Sequence, residues 1–108
     1  MNLHEFSYDK IEFGIAFPFY GGYWRTDLKE IIKMNINPNK FEEDLKEASW
    51  DYTVVDFNMQ KDNISFKLEI NEYDDISLIL MSEPTKESKQ KLREWATIIA
   101  EEIEKLKK

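Results

Sequence analysis

Three short apolar segments in the second half of the chain constrain the fold more than any other part of the sequence. In the first, Val55, Phe57 and Met59 alternate with polar residues, and in the second an apolar residue occupies every even position from 64 to 70. The third, ISLILM at 76–81, is apolar on both faces. The loops KDN and NEYDD between them are so short that they join only antiparallel neighbours. We therefore expect a three-stranded meander whose last strand lies centrally in a sheet, under a helix.

The N-terminal segment alternates in the same strand period, but its phase changes once. Phe6 and Tyr8 are even-numbered, whereas the apolar residues that follow are odd-numbered: Ile11, Phe13, Ile15 and Phe17. The change falls at Asp9-Lys10, which indicates a tight hairpin turn or a bulge between two strands. Pro18 ends the second strand, because proline cannot donate a hydrogen bond to a central ladder.

Two segments between these groups of strands have helical spacing. Residues 27–34 place apolar side chains on one helical face, although a strand across 24–36 also fits the pattern. The segment 39–48 is predicted to be an amphipathic helix with an acidic outer side. Asn39 and Glu42 have capping-box spacing after a proline, and the apolar residues share one helical face: Phe41, Leu45 and Ala48.

The C-terminal segment contains no glycine or proline from Thr85 onward, and its apolar residues recur at steps of three and four. This spacing predicts a long amphipathic helix with a basic last turn, KLKK, which suits the helix dipole. Two heptads are too short to argue for a coiled coil. We therefore expect this helix to pack across the sheet rather than to form a dimer seam.

These elements predict a single α+β domain over residues 1–108. The expected order is β-β-α-(α)-β-β-β-α, with one antiparallel sheet of about five strands covered by the long C-terminal helix. By element order alone, this arrangement resembles profilin-like and longin-like domains. That resemblance covers the whole chain but includes no sequence motif, so it implies a fold and no function.

The formal charge of −7 is concentrated in one part of the chain. Residues 39–75 carry eleven acidic and four basic groups, whereas 1–38 and 76–108 are close to neutral. This sign disfavours direct binding to nucleic acid, whose affinity comes largely from Lys and Arg at phosphates, and it disfavours an anionic membrane. It favours a basic protein partner. With no apparent signal peptide, membrane span or cysteine, we expect a cytoplasmic protein that is a monomer or a weak homodimer.

Catalytic and cofactor motifs are absent from the sequence. His4 is the only histidine, there is no cysteine, and neither a nucleophile elbow nor a phosphate-binding glycine loop occurs. A conventional zinc site cannot be assembled from one histidine and no cysteine. We expect no cofactor, no metal and no enzymatic activity, with a carboxylate-only enzyme as the alternative.

The predicted contact residues combine the acidic segments with nearby aromatic residues. The stretch FPFYGGYWR contains a sharp corner whose phenylalanines are expected in the core and whose tyrosines are candidate contacts. The candidate partner-binding residues are Glu42, Glu43, Asp44, Glu47, Asp51, Glu72, Asp74 and Asp75, with the aromatic residues Tyr20, Tyr23, Trp50 and Tyr52.

An acidic protein-binding module is the leading functional hypothesis. Its most concrete form is a bacterial immunity protein that neutralises a basic toxin, for example a nuclease. The size, the charge and the lack of catalytic motifs resemble small immunity proteins as a class. The alternatives are a phage-encoded inhibitor of host defence that mimics DNA, and a secretion-chaperone or adaptor-type domain that dimerises through its terminal helix.

Overall fold

The sheet is antiparallel and has six strands, in the spatial order β1-β2-β6-β5-β4-β3. The computed structural model describes residues 3–8, 12–18, 25–49, 52–71 and 75–106. The strands are β1 (His4–Tyr8), β2 (Glu12–Ala16), β3 (Lys40–Ser49), β4 (Tyr52–Lys61), β5 (Ile64–Ile70) and β6 (Ile76–Leu80). The helices are α1 (Arg25–Ile31), which continues as a π-helical turn (Ile32–Ile36), and α2 (Lys86–Leu106).

The predicted fold class is confirmed, with six strands where about five were expected. The meander of β4, β5 and β6 forms as predicted, and a two-residue turn at Asp62-Asn63 joins the first two strands. Both turn residues have positive φ, 52° and 64°, as this kind of hairpin turn requires. β6 lies between β2 and β5, and it is buried on both faces. The turn predicted at Asp9-Lys10 lies outside the described residues.

The prediction of a helix over 39–48 is wrong, because residues 40–49 form β3. This strand pairs with β4 from Lys40 opposite Gln60 to Glu47 opposite Thr53, with a bulge before Ser49. Its apolar residues are four positions apart, a spacing that puts side chains on the same side of both a helix and a strand. The element order therefore gains a strand and loses a helix relative to the predicted order β-β-α-(α)-β-β-β-α.

The expected helix within 27–34 does form, although it begins at Arg25 and changes to π-helical geometry after Ile31. It ends at Asn37, which lies in the left-handed region with φ 53° and donates its N–H to the Ile32 carbonyl at 2.9 Å. Thus Asn37 and the proline after it end one helix rather than begin another.

The helices pack on one face of the sheet, where the core lies. Ile99 and Ile103 of α2 are fully buried, and Trp95 stacks on Phe66 of β5 with ring centroids 4.5 Å apart. At the start of α2, the Ser88 N–H donates to Thr85 Oγ1 and the Thr85 N–H donates to Ser88 Oγ, as in a capping box. The C-terminal helix therefore packs across the sheet as predicted. Among the described residues, neither helix is long and apolar enough to cross a membrane.

Candidate functional site

The acidic residues of β3 are divided between the two faces of the sheet, because successive strand residues point to opposite sides. Glu43 shares a face with Leu45 and is directed toward α1, where Lys29 Nζ lies 2.5 Å from its Oε1. Glu42 and Asp44 lie on the opposite face, which we call the open face because none of the described helices packs on it. Glu42 is exposed and Asp44 is half-buried.

An acidic row crosses the open face from the edge of the sheet inward. In the strand register, Asp44 lies opposite Asp56 of β4, and Asp56 lies opposite Glu69 of β5. Like charges at directly opposite positions are destabilising. Lys67 offsets this repulsion, since its Nζ lies 3.6 Å from Asp56 Oδ2 and 3.4 Å from Glu69 Oε2. Asp56 is only 1% exposed, so the parts of the row open to solvent are its two ends.

A groove of about 280 Å³ lies on the open face beside the start of β3. Its lining combines the oppositely charged Lys40 and Glu42, the amides Asn58 and Gln60, and Met81, which is 57% exposed. The groove therefore contains both a cation and an anion, and we assign it no ligand of its own.

The remaining predicted contact residues have different outcomes. Asp75 closes the loop between β5 and β6: its N–H donates to Asn71 Oδ1 at 2.9 Å, and its carbonyl accepts the Asn71 N–H at 3.0 Å. Its backbone role is therefore in the turn. Glu47 lies in β3, where it pairs with Thr53, and Tyr52 lies in β4, where it pairs with Ser49. Six of the predicted contacts lie outside the described residues: Tyr20, Tyr23, Trp50, Asp51, Glu72 and Asp74.

The residues that flank those six positions meet at one end of the sheet. Ser49 and Tyr52 pair across the β3–β4 hairpin, and the loop that Asp75 closes follows the neighbouring strand β5. At the same end, the Phe17 N–H donates to the Ile76 carbonyl at 2.9 Å. The chain topology thus places the starting points of the predicted acidic and aromatic segments at the same end of the sheet.

No protein-family model, curated protein or solved structure matches the chain. The described residues include no group of three or more His, Asp or Glu side chains placed to hold a metal ion. Inference about function therefore rests on the sheet edge, its charges and its exposed apolar side chains.

At the far edge of the sheet, a separate charged contact ties β1 to the C-terminal helix. Arg93 donates from Nε and Nη2 to the two carboxylate oxygens of Glu5, both at 3.0 Å. The hydrogen bonds from Arg93 lower the pKa of Glu5 below its ordinary value, against a smaller opposing effect of burial. Arg93 also lies over the ring of Phe13, 5.5 Å from its centroid. These groups are occupied within the fold, so we assign this edge a structural role.

The acidic row was missed by sequence reasoning, although the sequence contains a signal for it. A two-residue turn at Asp62-Asn63 fixes the register of the hairpin, and that register puts Asp56 opposite Glu69. The contribution of Asp44 could not be found in this way, because residues 39–48 were predicted to be a helix.

Proposed function

We propose that this protein is an acidic protein-binding module that neutralises a basic protein partner. In its most concrete form, it is a bacterial, cytoplasmic immunity protein for a basic toxin such as a nuclease. The observation that carries the proposal is that the acidic segment 40–49 is the edge strand of the sheet formed by the described residues, so that its carboxylates flank that edge.

The supporting features lie within reach of one another around β3. Glu42 is exposed beside the groove, Asp44 begins the acidic row, and Leu45 is 54% exposed on the other face of the same strand. Acidic groups around an exposed apolar side chain are a combination suited to protein recognition: the charges steer a basic partner, and the apolar contact adds affinity. The predicted aromatic contacts Tyr20, Tyr23, Trp50 and Tyr52 belong to this proposal as expectations.

The interface of the dimeric-adaptor alternative has another use in the fold. Its helix seam would consist of Leu92, Ala96, Ile99, Ile103 and Leu106; the first four are fully buried against the rest of the chain, and only Leu106, at the end of the helix, is exposed. A seam of this kind would require the core to open. We therefore favour an interface at the sheet edge over one on the terminal helix.

A co-expression experiment tests the proposed function. The product of the neighbouring upstream gene is expressed with and without this protein, and growth is scored. We expect toxicity that this protein relieves, together with a complex that weakens as salt rises from about 0.1 M to about 1 M, where the Debye length falls from about 10 Å to about 3 Å. Absence of both toxicity and a complex would contradict the proposal.

Two charge reversals localise the interface in the same assay. Glu42→Lys changes an exposed residue of β3, and Glu104→Lys makes the same change at an exposed position on α2. Glu43 and Asp44 are poorer choices, because Glu43 pairs with Lys29 and Asp44 lies opposite Asp56. We expect Glu42→Lys to lose protection and Glu104→Lys to retain it. Equal behaviour of the two variants would remove β3 from the interface.

A further inference from the structure

The strand β3 has the length and position of a docking edge. It spans ten residues at the end of the six-stranded sheet, and among the described strands it pairs only with β4. The opposite edge strand, β1, has five residues and is tied to α2 through Glu5. An edge strand presents backbone N–H and C=O groups to any extended chain that approaches it. β3 is therefore the longer template for an added strand.

The hairpin geometry identifies which backbone groups of β3 face outward. The Asp62-Asn63 turn is closed by hydrogen bonding between Lys61 and Ile64, so odd-numbered β4 residues bond to β5 and even-numbered ones to β3. Their β3 partners are even-numbered as well, from residue 40 to residue 46. The outward-facing N–H and C=O groups consequently belong to Phe41, Glu43 and Leu45.

The side chains of β3 describe the strand that would fit against it. On the open face, a neighbouring strand would meet Glu42 and Asp44 at alternate positions. On the other face it would meet Leu45, which is 54% exposed, and Phe41, whose ring stacks on Phe57 at 5.4 Å. Basic residues alternating with apolar residues satisfy both faces, because cross-strand pairs interact on each side of a sheet.

A second copy of this chain meets charge repulsion in three of the registers in which it could pair with the same edge. Antiparallel self-pairing centred on Glu43 would put Glu42 opposite Asp44 and Lys40 opposite Lys46. Registers centred on Glu42 or Asp44 would put an acidic residue opposite its own copy. Like charges at directly opposite positions are destabilising, so the charge pattern disfavours these three registers, whereas a basic strand places opposite charges at both Glu42 and Asp44.

We infer that the basic partner binds by adding an extended segment to β3, with alternating Arg or Lys and apolar side chains. The inference rests on the proposed function and specifies its mode of binding. The partner strand accepts and donates hydrogen bonds at Phe41, Glu43 and Leu45, its basic residues face Glu42 and Asp44, and its apolar residues face Phe41 and Leu45.

Nuclear magnetic resonance with two synthetic peptides tests this mode directly. The peptide TVRVRVT places an Arg opposite each of Glu42 and Asp44, and TVVVRRT has the same composition and charge without the alternation. With the first peptide, we expect chemical-shift changes and slower hydrogen exchange centred on the amides of Phe41, Glu43 and Leu45. The second peptide should bind at least about fivefold more weakly. No response at these three amides, or equal responses to both peptides, would overturn the inference and leave the β3 charges as protection against aggregation.

A proline substitution tests the backbone contact in the protein itself. Leu45→Pro removes an outward-facing N–H and leaves the hydrogen bonds to β4 in place, a position at which an edge strand accepts proline. Leu45→Ala is the matched control, since it removes the side chain and keeps the N–H. We expect Leu45→Pro to bind the alternating peptide TVRVRVT about two- to tenfold more weakly than Leu45→Ala does. This difference is the effect of one hydrogen bond. The amide spectrum of each free variant verifies that the sheet is intact.

The outcomes for the toxic partner of the co-expression test separate this inference from the proposed function. If Glu42→Lys abolishes binding while Leu45→Pro and Leu45→Ala bind alike, the acidic edge binds without strand addition, and only the inference fails. If Glu42→Lys binds as well as Glu104→Lys, the proposed function fails at this edge. Loss with Glu42→Lys but not with Glu104→Lys, together with weaker binding of Leu45→Pro than of Leu45→Ala, supports both.

Discussion

Phe6 approaches Gly14 so closely that the effect of Gly14→Ala on stability should depend on the residue at position 6. The two residues lie opposite each other in β1 and β2, and a Cβ atom at position 14 would be 2.3 Å from Phe6 Cζ. Carbon atoms in favourable contact are roughly 3.5–4.0 Å apart, so the ring would have to move by about 1 Å or more. Overpacking of this kind costs about 1–3 kcal/mol. Alanine also lowers the conformational entropy of the unfolded chain, which stabilises the fold by roughly 0.4–1 kcal/mol. This gain applies here because Gly14 does not lie in the left-handed region, so alanine can adopt its backbone conformation.

We therefore expect Gly14→Ala to lower the free energy of unfolding by up to about 2.5 kcal/mol in the wild-type background. In a Phe6→Ala background the obstacle is absent, and the same substitution should be neutral or stabilise by up to about 1 kcal/mol. Urea unfolding of the four proteins, followed by tryptophan fluorescence, measures this double-mutant cycle. Effects of Gly14→Ala that agree within about 0.5 kcal/mol in the two backgrounds would refute the reasoning.

Three further predictions concern the core and the charged contacts. Ile99→Asp should unfold the chain, because loss of a fully buried isoleucine costs about 2–5 kcal/mol and a buried carboxylate destabilises the fold further. A folded monomer, as judged by circular dichroism and light scattering, would contradict the core packing. Glu5→Gln should lower the melting temperature at neutral pH but not in acid. The pKa of Glu5 is lowered from 4.5, so the contribution of the ionised form is present above that pH and is lost as the pH falls through the lowered value; a difference from wild type that is constant with pH would contradict this. Lys67→Met should destabilise the fold by up to about 3 kcal/mol in urea unfolding, because Asp56 is 1% exposed and loses a nearby cation; an unchanged midpoint would show that this contact contributes nothing.

The fold class could be predicted from the sequence because most strands have a buried face. In β5, buried and half-buried residues alternate without exception from Ile64 to Ile70. The short turn at Asp62-Asn63 then determines the strand that pairs with β5. Periodicity and turn length thus give the meander and the position of β6 without any long-range information.

The edge strand β3 could not be predicted in the same way, because its sequence satisfies both periods. Phe41 and Leu45 are four residues apart, and the residue between them that would distinguish a strand is Glu43 rather than an apolar residue. Glu43 is accommodated on the inner face because Lys29 of the preceding helix α1 forms an ion pair with it. An edge strand buries less apolar surface than a central one, so its alternation is weak and tertiary pairing with β4 decides its conformation.

The candidate site was predicted in composition but not in arrangement. The excess of acid in the middle third led to Glu42 and Asp44, which the structure places on one face of the strand. On the predicted helix, Glu43 would have belonged to the same acidic surface. The position of Asp56 directly opposite Glu69 depends on the strand register, which composition does not reveal.

The affinity of two charge-reversal variants for a partner identified by co-expression tests the central claim most directly. Calorimetric titration gives Kd for the wild-type protein, Glu42→Lys and Glu104→Lys, all folded as judged by circular dichroism. If the acidic edge strand binds a basic protein, Kd should rise about tenfold or more for Glu42→Lys and less than about twofold for Glu104→Lys. Equal Kd values for the two variants would contradict the account and place the interface away from β3.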